Sequence, residues 1–257
     1  SGLVFSFIAG LCITSRHLNN LYGVFSDLSK VVDAVIRNVI IPILPLYIFG
    51  IFLNMTYSGE VYQMILVFAK IIVVIFALHI IILLYQFSIA GAIVKKNPFV
   101  LLKNMLPAYF TALGTSSSAA SIPVTFQQTI NNGVSKGISG FVVPLCATIH
   151  MSGSVMKITA CALTICILNG MPHDFMLFFG FILLLSIMMV ASPGVPGGSI
   201  MAALAPLASV LGFDSEAQAL MIALYIAMDS FGTACNVTGD GAIALIVEKV
   251  TKNSVEE

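Results

Sequence analysis

Apolar residues dominate this chain in long runs, and what distinguishes the runs is where polar or helix-breaking residues interrupt them. The runs at 38–57 and 61–94 are continuous and predict membrane-crossing helices, because about 20 apolar residues span a bilayer core. The second is long enough to tilt. Residues 97–133 and 175–211 each have two short apolar arms around a tip that cannot stay helical. The first tip is Thr115, Ser116, Ser117, Ser118, Ala119, Ala120 and Ser121; the second is Ser192, Pro193, Gly194, Val195, Pro196, Gly197 and Gly198. Non-helical backbone at membrane depth needs protein or a water-filled cavity around it, and paired broken segments point to a transporter's substrate site. The plainer alternative, a loop between two ordinary spans, leaves the arms too short to cross. Residues 138–168 form a further span interrupted at PLCATIHMSGS. That stretch is either an unwound turn exposing carbonyls to a cation or a helix whose Ser and Thr bond back to it.

The last apolar segment, 217–247, carries Asp229, Thr233, Asn236 and Asp240 at i, i+4, i+7 and i+11. At 3.6 residues per turn these fall within about 40° of one another, forming a single polar stripe on a helix. Each carboxylate at bilayer depth costs roughly 2.5–3.5 kcal/mol on insertion scales. Two on one face imply a bound cation, a polar solute, or both.

Composition and charge sharpen this picture. Charged residues make up 9% and hydrophobic residues 59% of 257 positions, against about 25% charged in soluble domains. The chain is therefore expected to be an all-α integral membrane protein. Its net charge of zero gives no sign of nucleic-acid binding. Arg16, Lys30, Arg37, Lys95, Lys96, Lys103, Lys136, Lys249 and Lys252 all fall on one side if 38–57 crosses outward and 61–94 returns. In the same path 97–133 dips in from the inside, 138–168 crosses outward, 175–211 dips from the outside and 217–247 returns. The outer loops then hold Glu60, Asp174, Asp214 and Glu216 with no Lys or Arg, as the positive-inside rule requires. The opening run from residue 3 is too short for a span, so membrane segments are expected upstream. The five cysteines lack metal-ligand spacing and are expected to be small reduced core residues. Lys70 and His79 are expected to face an interface or water.

These motifs resemble the dicarboxylate/amino acid:cation symporters, the glutamate-transporter family. The Ser-rich tip looks like its first hairpin, PLCATIHMSGS its unwound helix, SPGVPGG its second hairpin and DSFGTACNVTGD its last-helix signature. The resemblance implies two re-entrant helical hairpins, an unwound transmembrane helix, and an N-terminally incomplete chain in the cell (inner or plasma) membrane. It also implies a homotrimer with elevator-type alternating access. Residues 1–57 would be the end of the scaffold, 61–250 the moving transport domain and 251–257 a cytoplasmic tail.

By the same resemblance, Asp229 would hold a substrate amino group, Asn236 its α-carboxylate, and Thr233, Ser117, Ser118, Val195, Gly197 and Gly232 would line the site. Asp240 would give a carboxylate to sodium, with Cys146, Thr148, His150, Met151, Val190, Ser192 and Asn236 as further cation ligands. Three departures qualify this. Gly232 stands where acidic-amino-acid carriers have an arginine, and Ser116 where some have another. Ser152 and His150 replace the aspartate and asparagine of the unwound motif. With the arginines missing, a neutral amino acid is the expected substrate: Ser, Thr, Ala or a somewhat larger one admitted by the space at Gly232. The alternative is a dicarboxylate or acidic amino acid with Lys157 as counter-charge. His150, Ser152 and Lys157 are the coupling candidates. Lys157 would act as a tethered cation, carry a proton together with His150, or snorkel along the domain's edge. Sodium is the expected coupling ion and a proton the second possibility. An intramembrane hydrolase built on Ser117 or Ser118 with His150 leaves the carboxylate stripe unexplained. A passive channel is usually marked by rings of charged side chains or a carbonyl filter, whereas here the polar groups are expected to converge on a closed pocket between the two broken segments.

Overall fold

A computed structural model describes the backbone of residues 9–10, 12–35, 38–39, 41–57, 61–192 and 196–256. Among the described residues the regular structure is helical. The chain divides into two compact units, Ser1–Tyr47 and Ile48–Glu257. The first carries α1 (Asn19–Val35), and the division falls inside α2 (Ile41–Tyr57).

In the second unit, α3 is the long helix Val61–Val94. The first broken segment becomes α4 (Pro98–Asn104), α5 (Leu106–Thr115) and α6 (Ser118–Asn131). At its tip Ser116 takes a left-handed φ of 50° and closes α5, while Ser117 is extended and caps α6 through its hydroxyl. Hydroxyl side chains satisfy the amides that a helix start leaves free, which is why a serine run makes a sharp reversal here. The base of this segment is tied by Asn132, whose amide donates to the Leu101 carbonyl at 3.0 Å and accepts from Asn104 at 2.8 Å.

The interrupted span is α7 (Lys136–Ile149) followed by α8 (Ser152–Leu168), with His150 and Met151 out of helical geometry between them. The second broken segment gives α9 (Phe175–Met189) and α10 (Gly198–Leu211). Val67–Val94 and Lys136–Leu168 are each long and apolar enough to cross a membrane.

The last segment departs from expectation. Residues 217–247 do not form one helix: α11 (Ser215–Ala227) and α12 (Asp229–Glu256) meet at Met228 with a 62° bend. The Met228 amide turns back to the Tyr225 carbonyl, and its own carbonyl accepts from the Lys157 ammonium at 3.2 Å. The bend makes Asp229 the first residue of α12, where a negative charge complements the helix dipole. α12 is the central element, packed against α3, α5, α6, α7 and α8. Phe87, Met105, Ala108, Ala112, Ala234 and Leu245 form part of the core around it.

Of the cysteines, Cys146, Cys161, Cys166 and Cys235 are free and buried as expected, while Cys12 is exposed. Of the two settings expected for His79, an interface or water, the second does not hold: it is buried edge-on against Tyr109. Lys70 is exposed.

Candidate functional site

The polar stripe lies inside the protein. Asp229, Thr233, Asn236 and Asp240 are all on α12 and all buried, Asp240 at 1% exposure. Each has a distinct set of partners.

Asp229 joins three elements. One carboxylate oxygen accepts the Gly197 amide at 2.8 Å, bringing the start of α10 onto α12. The other lies 3.7 Å from the Lys157 ammonium on α8. Lys157 is fully buried, so the snorkelling arrangement does not occur. Its ammonium sits 3.5 Å over the centre of the Tyr225 ring, a cation–π contact, and donates to Met228. Room for this comes from Gly232: a Cβ there would stand 3.0 Å from the Lys157 ammonium. The space expected at Gly232 is thus taken up by an internal cation.

Asn236 faces the interrupted span. Its side-chain oxygen accepts from the Gly153 and Ser154 amides at 2.7 and 3.2 Å, and its side-chain nitrogen donates to the Ser154 hydroxyl at 2.9 Å. It therefore caps α8, whose first amides the break leaves without helical partners. Thr233 turns its hydroxyl to the Asp229 carbonyl at 3.1 Å.

Asp240 meets His150. The imidazole Nδ1 lies 2.8 Å from the carboxylate and 3.1 Å from the Asn236 carbonyl oxygen. The other ring nitrogen lies 3.3 Å from the Gln86 amide, which also donates to Ser152 at 3.2 Å. His150 and Lys157 consequently serve different carboxylates. A shared helical face between them assumed unbroken helix, and the break after Ile149 removes it.

The other candidates divide. Cys146 is buried and its carbonyl accepts the His150 amide at 2.8 Å; Met151 is buried with its sulfur 3.5 Å from the Asn236 amide. Ser192 is buried and bonded to Ser199 at 3.3 Å. Ser118 is buried at the start of α6, behind the Ser117 cap. Thr148 is exposed and its hydroxyl returns to Leu145 on its own helix. Val190 is half exposed. Val195 lies outside the described residues. Among the described residues, no three His, Cys, Asp or Glu side chains converge as a metal cluster would. The oxygen-rich positions are those around Asp240 and Asn236.

A groove of about 760 Å³ opens beside this cluster, lined by Ile71, Val74, Val155 and Met156 and reaching His150 and Ser152. It is mainly apolar and does not contain the Asp229 pair. Sequence reasoning missed Gln86, Tyr225 and the Met228 carbonyl.

The pattern of the sodium:dicarboxylate symporter family matches residues 1–250. The chain is 36% identical over 169 residues to human excitatory amino acid transporter 1, covering 64% of this chain and 30% of that protein. It is 38% identical over 170 residues to human excitatory amino acid transporter 3, covering 64% and 32%. With human excitatory amino acid transporter 5 it shares 35% over 184 residues, covering 70% and 31%. The chain thus spans about a third of the length of these curated relatives. A match over nearly its whole length, with apolar spans folded around buried carboxylates, makes this multi-pass membrane chain a member of the sodium:dicarboxylate symporter family.

Proposed function

We propose that this chain is part of a secondary symporter of the cell membrane that moves a small acidic amino acid or dicarboxylate together with cations. The observation that carries this reading is the Lys157 ammonium, buried between Asp229 and Gly232. A second substrate carboxylate needs a desolvated positive group, and Lys157 supplies one beside the position where a residue-232 arginine would begin. The relatives' name, excitatory amino acid transporter, agrees with that substrate class. The Gly197 amide on Asp229 supports a gate at the second hairpin whose closure is sensed by the stripe. In this reading residues 61–250 move as the elevator-type transport domain, 1–57 belong to the scaffold of a homotrimer, and sodium is the principal driving ion.

A neutral amino acid is the second reading. It is favoured by the glycine at 232, and by Asp229 and Lys157 already neutralising one another. Uptake into proteoliposomes separates the two. Aspartate or a four-carbon dicarboxylate outcompeting serine and alanine supports the first reading, and the reverse order supports the second. Absence of uptake under both sodium and proton gradients overturns symport itself.

A further inference from the structure

We infer that the His150 imidazole occupies the cation position at Asp240 with its own N–H, so that this carboxylate does not take a sodium ion. The inference deepens the cation-coupling part of the proposed function, and its test does not require transport. A carboxylate buried in the membrane interior needs a cation or a strong donor against it. For Asp240, 1% exposed, that partner is His150 Nδ1 at 2.8 Å. The same nitrogen is 3.1 Å from the Asn236 carbonyl. A carboxylate and a backbone carbonyl converging on one point is the kind of oxygen environment that suits a hard cation. Here the point is filled by a ring nitrogen. Both oxygens are acceptors, so Nδ1 carries a hydrogen whether the ring is neutral or charged.

Several features hold the ring in place. His150 closes α7 in an extended conformation (φ −92°, ψ 99°), with its amide on the Cys146 carbonyl, which turns the side chain toward α12. Gln86 on α3 backs the other ring nitrogen at 3.3 Å. Gly239 lets the ring approach α12: a Cβ there would stand 2.6 Å from the ring's Cε1 and 2.5 Å from the Gln86 oxygen. The position is thus built from α3, α7 and α12 together. A sodium ion entering it would have to displace the imidazole from both oxygens.

The test is thermal unfolding of the purified protein during sodium titration, with choline holding ionic strength constant. A ligand that binds only the folded state raises the melting temperature as its concentration passes its dissociation constant. We expect the sodium response of the native protein to be the same in Asp240→Asn. We expect His150→Ser, and His150→Asn as a second variant, to gain a saturable sodium-dependent rise that disappears when Asp240→Asn is added. Loss of the native protein's sodium response in Asp240→Asn overturns the inference, as does the absence of any gain in folded His150 variants. If the His150 variants do not fold, the native and Asp240→Asn comparison decides. If Asp240→Asn does not fold, the gain or its absence in the His150 variants decides. Failure to find a transported substrate leaves these readings intact and counts against the proposed function alone.

Discussion

The side-chain oxygen of Asn236 caps α8 by accepting the Gly153 amide at 2.7 Å, so the last helix completes the one that begins after the break. The Ser154 amide shares that oxygen, and the Asn236 nitrogen reaches the Ser154 hydroxyl. Asn236→Ala leaves two buried amides unpaired at a helix start. An unsatisfied buried donor costs about 1–3 kcal/mol, and a lost cap about 1 kcal/mol. The expected outcome is a lower melting temperature in Asn236→Ala with partial recovery in Asn236→Ser. Equal stability of Asn236→Ala and native protein would show that the cap carries no weight.

Lys157 and Asp229 form a buried pair, and removing one member of such a pair costs more than removing both. Lys157→Met leaves the Asp229 carboxylate without its buried cation, held only by neutral donors such as the Gly197 amide and the Tyr225 hydroxyl. Asp229→Asn leaves the ammonium facing Tyr225 and the Met228 carbonyl. The double variant is therefore expected to be more stable than the two single losses predict, by a coupling of about 1–3 kcal/mol. Additive losses in unfolding measurements would show that the two groups do not act as a pair.

The geometry at Gly232 allows a swap of counter-charge. Gly232→Arg alone would bring a second cation against Lys157, since even a Cβ there meets the ammonium at 3.0 Å. Lys157→Ala vacates that space. If Lys157 is the counter-charge for an acidic substrate, Lys157→Ala weakens binding of aspartate or a dicarboxylate by at least tenfold, about 1.4 kcal/mol. Adding Gly232→Arg should restore it in part, while Gly232→Arg in the native background should not improve it. Unchanged acid binding in Lys157→Ala, measured by competition, would support the neutral-substrate reading instead.

The stripe on α12 was legible in the sequence because helical periodicity holds wherever the helix is unbroken, and α12 runs unbroken from Asp229 through Asp240. The place of the first tip was legible because a serine cluster acts locally, but not its extent: only Ser116 and Ser117 leave the helix, while Thr115 and residues 118–121 stay helical. The bend at Met228 was not legible. No glycine or proline marks it, and the carbonyl is held by Lys157, which lies far away in sequence. The separate partners of His150 and Lys157 were hidden for the opposite reason. Their spacing was projected along a helix that stops between them. Gln86 had no signal at all, being one amide in a continuous apolar helix that only the packing of α3 on α8 and α12 turns toward His150.

Gly153 sets how closely α8 can approach α12. A Cβ at this position would stand 2.5 Å from the Cys235 Cβ and 2.7 Å from the Gly232 carbonyl oxygen. Neither neighbour is the movable end of a long side chain, so Gly153→Ala has to push the helices apart. Overpacking of this kind costs about 1–3 kcal/mol, but here the displacement has further consequences. The Gly153 amide would be drawn from Asn236, and Lys157, one turn further along α8, would be drawn from Asp229. Loss of stability in Gly153→Ala should therefore exceed the packing term and come with weaker substrate binding. Adding Cys235→Gly removes the nearer obstruction but leaves the Gly232 carbonyl, so recovery should be partial. Native stability and binding in Gly153→Ala, measured by unfolding and substrate competition, would mean that the two helices do not pack this closely in the protein.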